Sequence, residues 1–515
     1  MIQNCKSDEQ DPLTIFLKTS KIPKPLNPFD AFYGGRVETF CCLDENLEAP
    51  KRYVDVTSLY PFVCATKLFP VGHPTILFQN LGTSLEPYFG FIQCKIKPPR
   101  QLMIPVLPVR VNGKLLFPLC LKCASEHHCG YCVHSDEVRC FSGTWFSEEL
   151  KLAIKKGYEV VHIEQVYHFK EQSTQLFSAF MKDLYKIKLL ASGDPRDVDI
   201  DQFIKDVLEK EKIDLNGCKF ERNQGLRYIA KILLNSFWGR FALRENQPLF
   251  KFITSVEELY SFISNANFEV KSLRPITENV IGVSYLLKNK ELVDISNERN
   301  IFIAAITTAW ARIELYKHAD KLSTNTETQL YYVDTDGLMF CDTKPPFQSL
   351  STGNFMGDLT NELKENEWIS LFMSAGPKNY AFQTNLLKTC VKVKGFSLHS
   401  ENLRAFNCET LKQIIQKHVQ THCDEFGFVS MKDPKTFRMM AKQKRVEFSE
   451  QHNRTASESS AFSDLFAISV FNPNKITRSD SWRVLSKKEQ KLFLFNYDKR
   501  IVRSDFTTIP FGFCE

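Results

Sequence analysis

The chain has 515 residues, and 66 lysines and arginines against 60 aspartates and glutamates leave a formal net charge of +6. Hydrophobic residues at 43% and charged residues at 24% are globular values that exclude wholesale disorder, while only 21 glycines and 23 prolines exclude a fibrous chain. At roughly 150 residues per domain the length allows three or four domains, and the mild positive charge permits a polyanionic partner without requiring one.

The cysteines and the first residues of the chain bear on its compartment. Sixteen cysteines are too sparse for a disulfide scaffold. Residues 1–20 have no basic segment followed by an apolar one, as a signal peptide has, and the longest apolar run, residues 301–311, is too short to span a bilayer. We therefore expect reduced thiols in a soluble intracellular protein, with nucleus and cytoplasm both open.

Apolar periodicity predicts helices and strands that interleave irregularly along the chain. The predicted elements are a strand at 51–55, a helix at 148–158, a strand at 159–169, helices at 224–241 and 300–322, and a hairpin at 330–340. Between the first two, residues 98–143 are rich in Pro, Gly, Cys and His and are typical of an irregular insertion. This order favours an α+β fold over a doubly wound sheet.

Asp334 and Asp336 flank Thr335 at the tip of the predicted hairpin, between the apolar runs YYV and LMF. Carboxylates two apart at such a tip are expected to point the same way and lie close together. Like charges that close cost free energy unless a cation lies between them, and Mg²⁺ takes one or two carboxylates together with substrate phosphates. An acidic, solvated turn is the alternative interpretation of these residues taken alone.

A further acid, Asp55, ends the predicted strand at 51–55 and precedes VTSLYPF, an apolar turn that a surface acid would not need. Strand-borne acids on two separate segments suit two-metal chemistry, in which paired cations activate a hydroxyl and stabilise a leaving pyrophosphate. Taken by itself, Asp55 is a weak signal.

Arg227, Lys231 and Asn235 lie at positions i, i+4 and i+8 of the predicted helix at 224–241. They form a stripe about 12 Å long, at about 1.5 Å per residue. The predicted apolar face opposite consists of Leu226, Ala230, Leu233, Leu234 and Phe237. A cationic stripe suits a triphosphate, and a solvated helix face is the alternative. Trp238 favours the first interpretation, because it is followed by a glycine that lets another group approach closely.

Taken in chain order, these segments resemble the polymerase motifs of family B DNA polymerases. DVTSLYP (55–61) is similar to motif A, KILLNSFWG (231–239) to motif B and YVDTDG (332–337) to motif C. FYGGR (32–36), GPKNY (376–380) and VKVKG (391–395) resemble the YxGG, KxY and lysine elements of the protein-primed members. The Cys/His-rich insertion and the tail YDKRIVRSDFTTIPFG are similar to polymerases of Polinton (Maverick) self-synthesising transposons, so the resemblance runs from about residue 30 to 512.

The resemblance implies a right-hand fold of palm, fingers and thumb with two insertions, and a role for each matching residue. The catalytic acids would be Asp55, Asp334 and Asp336, of which Asp55 and Asp336 would hold two Mg²⁺ ions, with Mn²⁺ as a substitute. Tyr60 would exclude a ribose 2′-OH, and Lys188 would be a second cation of the fingers. The nucleotide-binding residues would be Ser58, Leu59, Tyr60, Arg227, Lys231, Asn235 and Trp238. The DNA-binding residues would be Phe32, Gly34, Gly35, Lys378, Tyr380, Lys392 and Lys394.

The implied activity is that of a DNA-directed DNA polymerase in protein-primed replication of a mobile or viral-like linear element. Its partners would be a DNA template and primer, deoxynucleoside triphosphates and a terminal (priming) protein, and no membrane. Phe32, Trp238 and Gly337 stand where the family has Tyr, Tyr and Ser. None of the three removes a metal ligand, so we expect activity to be retained.

Two other functions stay open. The chain could be a catalytically silent DNA-binding relic of such a polymerase. A reverse transcriptase is less favoured, because Thr335 separates acids that those enzymes usually place side by side.

The expected division of the chain follows the motifs. It comprises a leader or exonuclease-side remnant (1–30), palm (31–97), Cys/His insertion and palm return (98–170), fingers (171–245), second insertion (246–295), palm (296–400) and thumb (401–515). Protein-primed members carry a proofreading exonuclease domain before YxGG. Only 31 residues precede Phe32, without paired acids in a strand context, so we expect no 3′–5′ exonuclease in this chain.

A cysteine cluster and a basic run complete the candidates. The pairs Cys120-x2-Cys123 and Cys129-x2-Cys132 have zinc-like spacing, but only five residues separate them, where a standard ribbon has roughly 15–20. A structural Zn²⁺ at these four cysteines and simple reduced thiols are the two alternatives, with His127, His128, His134 and Cys140 nearby. The predicted thumb grip on the phosphate backbone, or else a solvated helix face, consists of Lys432, Lys435, Arg438, Lys442, Lys444 and Arg445.

Overall fold

The computed structural model describes residues 25–47, 49–193, 199–243, 248–288, 299–342, 350–396, 398, 400–431, 467–478 and 484–515. The predicted thumb grip (Lys432, Lys435, Arg438, Lys442, Lys444 and Arg445) lies outside these residues. Within them, helices and antiparallel strands interleave irregularly, which confirms the predicted α+β class.

The helices within the described ranges are, in chain order, α1 (Leu59–Thr66), α2 (Leu121–Glu126), α3 (Asp136–Arg139), α4 (Ser147–Lys155), α5 (Ser178–Leu190), α6 (Ile200–Glu211), α7 (Gln224–Ser236), α8 (Val256–Ser264), α9 (Ile301–Thr324), α10 (Ser400–Ala405) and α11 (Cys408–His422). Two 3₁₀ turns lie at Pro28–Ala31 and Trp238–Ala242.

The strands within the same ranges are β1 (Val37–Thr39), β2 (Leu43–Asp44), β3 (Lys51–Val56), β4 (Phe69–Val71), β5 (Thr75–Leu77), β6 (Gly90–Lys97), β7 (Val109–Val111), β8 (Lys114–Leu116), β9 (Phe141–Phe146), β10 (Glu159–His168), β11 (Glu171–Ser173), β12 (Leu249–Ile253), β13 (Phe268–Thr277), β14 (Val280–Leu287), β15 (Thr328–Asp334), β16 (Gly337–Asp342), β17 (Leu359–Asn361), β18 (Ile369–Ser374), β19 (Asn379–Thr384), β20 (Thr389–Val393), β21 (Phe428–Val429), β22 (Ala467–Arg478), β23 (Val484–Leu494), β24 (Ile501–Arg503) and β25 (Thr508–Ile509).

Nine of the described strands form a central antiparallel sheet. Its order is β1-β15-β16-β3-β18-β19-β20, with β17 and β2 added on β3 and β18. The predicted hairpin at 330–340 is the β15–β16 pair, and the predicted strand at 51–55 is β3, which pairs with β16 from far earlier in the chain. This long-range pairing brings the two acidic segments to the same end of the sheet.

Helix α9 lies against the central sheet and is buried on most sides. Asn300 caps it, since its side-chain oxygen accepts hydrogen bonds from the backbone N–H groups of Phe302 (3.1 Å) and Ile303 (3.3 Å). Ile306 and Leu315 are fully buried. The apolar run at 301–311 is therefore a core helix. Among the described residues, none of the helices combines the length and the apolar character needed to cross a membrane.

A buried ion pair ties α9 to α4 and to the FYGGR segment. The Arg312 guanidinium contacts both carboxylate oxygens of Glu149, at 2.7 and 2.8 Å. Its remaining terminal nitrogen donates to the backbone carbonyl oxygens of Tyr33 (2.8 Å) and Gly34 (3.0 Å). Because a buried bidentate pair with further hydrogen bonds has a defined geometry, it holds the FYGGR backbone in one place.

The predicted irregular insertion at 98–143 is part of the main core. It contributes the β7–β8 hairpin, the short helices α2 and α3, and fully buried side chains at Leu107, Leu119 and Ala124. A four-stranded sheet of order β5-β10-β6-β9 lies next to it in the chain.

Strands β12, β14 and β13 form a separate sheet. Together with α8 they enclose a small hydrophobic core of Ile253, Phe262 and Val283. This unit falls within the predicted second insertion at 246–295. All of the expected domain boundaries stay a prediction.

The predicted helix at 224–241 differs from the observed one in length and packing. Helix α7 ends at Ser236 and a 3₁₀ turn follows at Trp238–Ala242. Of its predicted apolar face, Ala230 and Leu234 are buried, but Leu226 and Leu233 are each 45% exposed. The predicted apolar side of α7 is thus only partly buried, where the helix packs against α5 and α1.

Candidate active site

Two carboxylates meet where β3 lies beside the β15–β16 hairpin. Asp55 on β3 is the antiparallel partner of Gly337, and the backbone N–H of Val56 donates to the carbonyl oxygen of Asp336 at 2.9 Å. Asp336 therefore lies next to Asp55 in space, although 280 positions separate 55 from 336 in the chain. Asp334 ends β15 on the other side of the turn.

The negative charges of these acids raise one another's pKa and are only partly neutralised by Lys378. Burial raises the pKa of Asp55 to about 7, with further increases from the charges of Asp336, Glu362 and Asp334. Burial and the Asp334 charge raise the pKa of Asp336 to about 6. Oδ1 of Asp55 is buried without a hydrogen-bond partner. An oxygen-only donor set that repels itself in this way fits a hard divalent cation such as Mg²⁺.

Glu362 is a fourth carboxylate near this cluster that sequence reasoning missed. Strand β17 pairs with β3, with Thr360 opposite Asp55, and the backbone N–H of Glu362 donates to the carbonyl oxygen of Tyr53 at 2.9 Å. The exposed Glu362 side chain raises the pKa of both Asp55 and Asp336. It lies in the ordinary polar stretch LTNELKENE, so no sequence signal could have identified it.

The turn between Asp334 and Asp336 is strained and is supported by the FYGGR segment. Thr335 has a φ of 67°, in the left-handed region that β-branched residues rarely adopt. Its N–H donates to the carbonyl oxygen of Arg36 at 2.8 Å. Gly35 packs directly on Thr335, so that a Cβ at position 35 would lie 2.8 Å from Thr335 Cγ2 and 3.2 Å from its Cβ.

This contact predicts that Gly35→Ala lowers the melting temperature of the chain. The added methyl must displace the Thr335 turn and with it Asp334 and Asp336, and overpacking of this kind costs about 1–3 kcal/mol. Thermal unfolding should show this loss of stability. Gly34→Ala is the matched control, because a Cβ there meets nothing within 4 Å. Equal effects of the two substitutions would contradict the prediction.

Gly337, which replaces the serine of motif C, fits closely against a neighbour. A Cβ at this position would lie 3.1 Å from the Tyr53 ring. The Tyr53 ring therefore occupies the space beside Gly337.

A second group of residues, all but one of them predicted, surrounds the start of α1. Lys188 on α5 lies 3.3 Å from the hydroxyl of Ser58, the residue before α1. Burial and the charges of Arg227 and Lys231 lower the pKa of Lys188 to about 8, so these three cations lie close together. Arg227 is oriented by its hydrogen bond to the Ser192 hydroxyl (3.1 Å), a partner that the sequence did not indicate.

The other predicted nucleotide-binding residues continue this surface. Lys231 and Asn235 are exposed on α7, on the stripe that Arg227 begins. Leu59 is 1% exposed, so only its backbone is available to a ligand. Tyr60 stacks on Trp238, with ring centroids 4.7 Å apart and an interplanar angle of 26°. Burial and the Asp336 charge raise the pKa of Tyr60 to about 12, so this ring lies near the acids as well as against Trp238.

The predicted primer-contacting residues lie at one end of β19 and β20. The Lys378 ammonium contacts Asp334 Oδ1 at 3.1 Å, and its backbone N–H donates to the Tyr332 hydroxyl at 2.7 Å. Lys392 lies over the Tyr380 ring at 5.3 Å. Tyr380 itself is 2% exposed and packs on Tyr332.

Lys394 and Phe32 occupy different surroundings from these residues. Lys394 is exposed, and its backbone N–H is bound by the Asn379 side chain at 2.9 Å. Phe32 packs against the main core with a half-buried side chain. Contact of any of these residues with DNA stays a prediction.

The structure corrects the predicted zinc ligands. Cys120, Cys123 and Cys132 lie together with His134, with all four ligand atoms within 4.8 Å of one another. Cys129 lies outside this group, and its sulfur is 3.8 Å from the carbonyl oxygen of Val429. The prediction of Cys129 as a ligand was wrong. The C-x2-C spacing does not reveal how the loop folds, and the fold turns Cys129 away from the cluster and brings His134 into it.

Partly buried carboxylates thus lie at the ends of adjacent strands, and cations of α5 and α7 lie close together near Ser58. Residues 29–325, more than half of the chain, match the family described as DNA polymerase type B, organellar and viral. The chain belongs to this family.

Individual relatives agree with the family. A "Probable DNA polymerase" of Neurospora intermedia is 29% identical over 320 residues, which cover 60% of this chain and 26% of that protein. A "Probable DNA polymerase" of Podospora anserina is 28% identical over 451 residues, 78% of this chain and 31% of that protein. The chain thus spans about a quarter to a third of the length of these relatives. Phi29 DNA polymerase in its orthorhombic crystal form is similar with a TM-score of 0.47 and 16% identity, covering 75% of this chain and 57% of that chain.

Proposed function

We propose that the chain is a DNA-directed DNA polymerase that adds deoxynucleotides to a 3′-OH on a DNA primer. The observation that carries this proposal is the half-buried, mutually repelling pair Asp55 and Asp336 in a chain of the type B polymerase family. Its substrates are then a DNA template with its primer and deoxynucleoside triphosphates.

The acids have the donor set for Mg²⁺, with Mn²⁺ as a substitute. Asp55 and Asp336 would hold the two ions and Asp334 would assist. When bound, paired ions lower the pKa of the attacking hydroxyl and neutralise the charge of the leaving pyrophosphate. Lys378 orients Asp334 through their 3.1 Å contact, which keeps that carboxylate at the edge of the cluster.

The cations of α5 and α7 are suited to a triphosphate. Burial, and after it the charges of Arg227 and Lys231, lower the pKa of Lys188, so the charge of Lys188 is repelled by the other two. A polyanion relieves that repulsion, so binding energy is available where the phosphates would lie. Tyr60 and Trp238, stacked beside them, would fix the sugar and the base pair.

The proposal also covers priming. The FYGGR, GPKNY and VKVKG segments, which resemble elements of protein-primed polymerases, support replication of a linear mobile or viral-like element from a hydroxyl on a terminal protein. Incubating the chain with a labelled deoxynucleotide and candidate terminal proteins encoded beside its gene would test this. A labelled, protease-sensitive protein adduct supports the proposal, and strict dependence on a free 3′-OH would contradict it.

Primer extension tests the activity itself. Wild-type protein should extend a primer on a DNA template with Mg²⁺ or Mn²⁺, and Asp336→Ala should not. Failure of the wild type with both metals would favour the DNA-binding relic. Equal or faster extension on an RNA template would favour a reverse transcriptase.

Lys188 gives the site an expected pH dependence. Because its lowered pKa of about 8 leaves it neutral at higher pH, the KM for deoxynucleotide should rise above about pH 8. Burial lowers this pKa most, the charges of Arg227 and Lys231 lower it further, and the charge of Glu211 raises it. In Lys188→Arg the charge persists, so the rise in KM should disappear. A wild-type KM that is constant between about pH 7 and 9.5 would contradict the prediction.

A further inference from the structure

A cluster of three thiols and one imidazole lies well apart from the acids in the Cys/His-rich segment. Cys120 precedes α2 and Cys123 lies in its first turn, while Cys132 and His134 come from the loop between α2 and α3. The four ligand atoms lie within 4.8 Å of one another. No step of nucleotidyl transfer uses them, so they need another explanation.

The nitrogen–sulfur distances of this cluster match those of a tetrahedral zinc site. His134 Nδ1 lies 3.6 Å from the Cys120 sulfur, 3.3 Å from that of Cys123 and 3.5 Å from that of Cys132. Around a zinc ion with Zn–S of about 2.3 Å and Zn–N of about 2.0 Å, a tetrahedron places sulfur and nitrogen about 3.5 Å apart. A disulfide would account for two sulfurs, but not for an imidazole nitrogen equidistant from three.

We infer that a structural Zn²⁺ ion is bound by Cys120, Cys123, Cys132 and His134. By ordering the loop that carries these ligands, it holds the C-terminal segment (residues 501–515) in place. The three cysteines are 0%, 0% and 5% exposed. Four protein ligands at a buried position leave no coordination place for a substrate, which is the property of a structural zinc site.

The C-terminal segment is built directly onto the ligand loop. The backbone N–H of Cys132 donates to the carbonyl oxygen of Phe513 at 2.8 Å, and that of Leu119 to Phe511 at 2.7 Å. Between these bonds, Gly512 lies so close that a Cβ would be 2.5 Å from Cys120 Cβ. Arg139, fully buried, donates to the Gly512 carbonyl oxygen at 2.7 Å. A metal that orders the ligand loop therefore also orders residues 511–513.

The same segment continues to the strand beside the catalytic hairpin. The Thr508 hydroxyl donates to the carbonyl oxygen of Thr39 at 2.8 Å, and its backbone N–H to that of Phe40 at 2.9 Å. Thr39 belongs to β1, in which Val37 is the antiparallel partner of Asp334. Hydrogen bonds thus connect the loop that carries the ligands to the C-terminal segment, and the C-terminal segment to β1, the strand that pairs with Asp334.

Metal analysis of the full chain tests the inference. Protein purified without added metal and passed over a chelating resin should retain about one zinc ion per chain. Cys120→Ser and His134→Ala should lose it. Cys129→Ser is the matched control and should keep it, because Cys129 belongs to the same loop but not to the cluster. Wild-type protein without stoichiometric zinc, or with iron in its place, would overturn the inference, as would loss of zinc in Cys129→Ser.

Two measurements on the wild type keep the test valid if a ligand variant fails to fold. Replacement of zinc by Co²⁺ should give the intense visible bands of a tetrahedral site and a thiolate charge-transfer band, and an octahedral spectrum would count against it. Removal of zinc with a thiol-reactive mercurial should make the C-terminal residues 501–515 accessible to protease. Unchanged protection there would refute the fastening role. Neither readout depends on polymerase activity, so the result is independent of the proposed function.

Discussion

Asp55→Asn should abolish nucleotide addition and at the same time raise the melting temperature of the metal-free protein. Loss of a metal-holding carboxylate removes several kcal/mol of transition-state stabilisation, which corresponds to a fall of about 10³-fold or more in rate. The gain in stability has a separate cause. The Asp55 carboxylate is buried and faces Asp336, Asp334 and Glu362, so replacing it by a neutral amide relieves repulsion in the folded state.

The direction of the change in melting temperature follows from the pH dependence of stability. The pKa of Asp55 is about 7 in the folded protein, above the value of about 3.9 of an unfolded aspartate. Its contribution to stability is therefore complete below about pH 4 and is lost as the pH rises through about 7. Without metal, Asp55→Asn and wild type should melt at similar temperatures at about pH 4, and the variant should melt higher at about pH 8.

Thermal melts in EDTA at the two pH values, together with primer extension, check both parts. Asp183→Asn, an exposed aspartate on α5, is the control and should change neither activity nor melting temperature. Adding Mg²⁺ should raise the melting temperature of the wild type more than that of Asp55→Asn, because a ligand stabilises the state that binds it. A variant that melts lower than wild type in EDTA at about pH 8, or that retains activity, would contradict the argument.

The acids could be predicted from sequence because each lies on a local pattern. Asp334 and Asp336 lie in a hairpin whose apolar flanks are contiguous, and Asp55 ends a strand that is recognisable by itself. What the pattern cannot show is which strands pair. Glu362 reaches the cluster only because β17 adds to β3, and that register depends on side-chain packing far from either segment.

The same difference between a local pattern and long-range packing applies to the loop that carries the cysteines and to α7. The cysteine spacing indicated a metal site, but the choice of His134 over Cys129 depends on how the loop folds between α2 and α3. Periodicity predicted α7 but not the exposure of Leu226 and Leu233. The apolar pattern of a helix does not show how much of its surface the neighbouring helices will cover. Lys188 was identified by resemblance, and its 3.3 Å contact with Ser58 came only with the structure.

Tyr60→Val should increase incorporation of ribonucleotides by about 10- to 100-fold relative to deoxynucleotides. Tyr60 follows Ser58 and Leu59 in the turn that starts α1, and its ring is held in one orientation by stacking on Trp238 at 4.7 Å. In the proposed function this ring lies beside the sugar, where its size would exclude a 2′-OH. Removing a group of this kind changes discrimination by about 1–3 kcal/mol, which is the origin of the expected range.

Tyr60→Phe separates the size of the ring from its hydroxyl group. Phenylalanine keeps the ring and the stack on Trp238, so a steric gate predicts that this variant still rejects ribonucleotides, while valine admits them. The measurement is the ratio of kcat/KM for a ribonucleotide and the matching deoxynucleotide on one primer-template. If both variants admitted ribonucleotides equally, discrimination would depend on the hydroxyl, and the size argument would fail.

The stack also predicts a cost for the deoxynucleotide. Without the Tyr60 ring, Trp238 loses an aromatic partner of the kind that contributes about 0.5–1.5 kcal/mol, so the end of α7 should become less well ordered. Tyr60→Val should therefore raise the KM for deoxynucleotide by up to about 10-fold, with a smaller change in kcat because Asp55 and Asp336 remain in place. A fall in kcat without any change in KM would instead mean that Tyr60 acts through its neighbour Asp336, and would place this ring in the catalytic cluster.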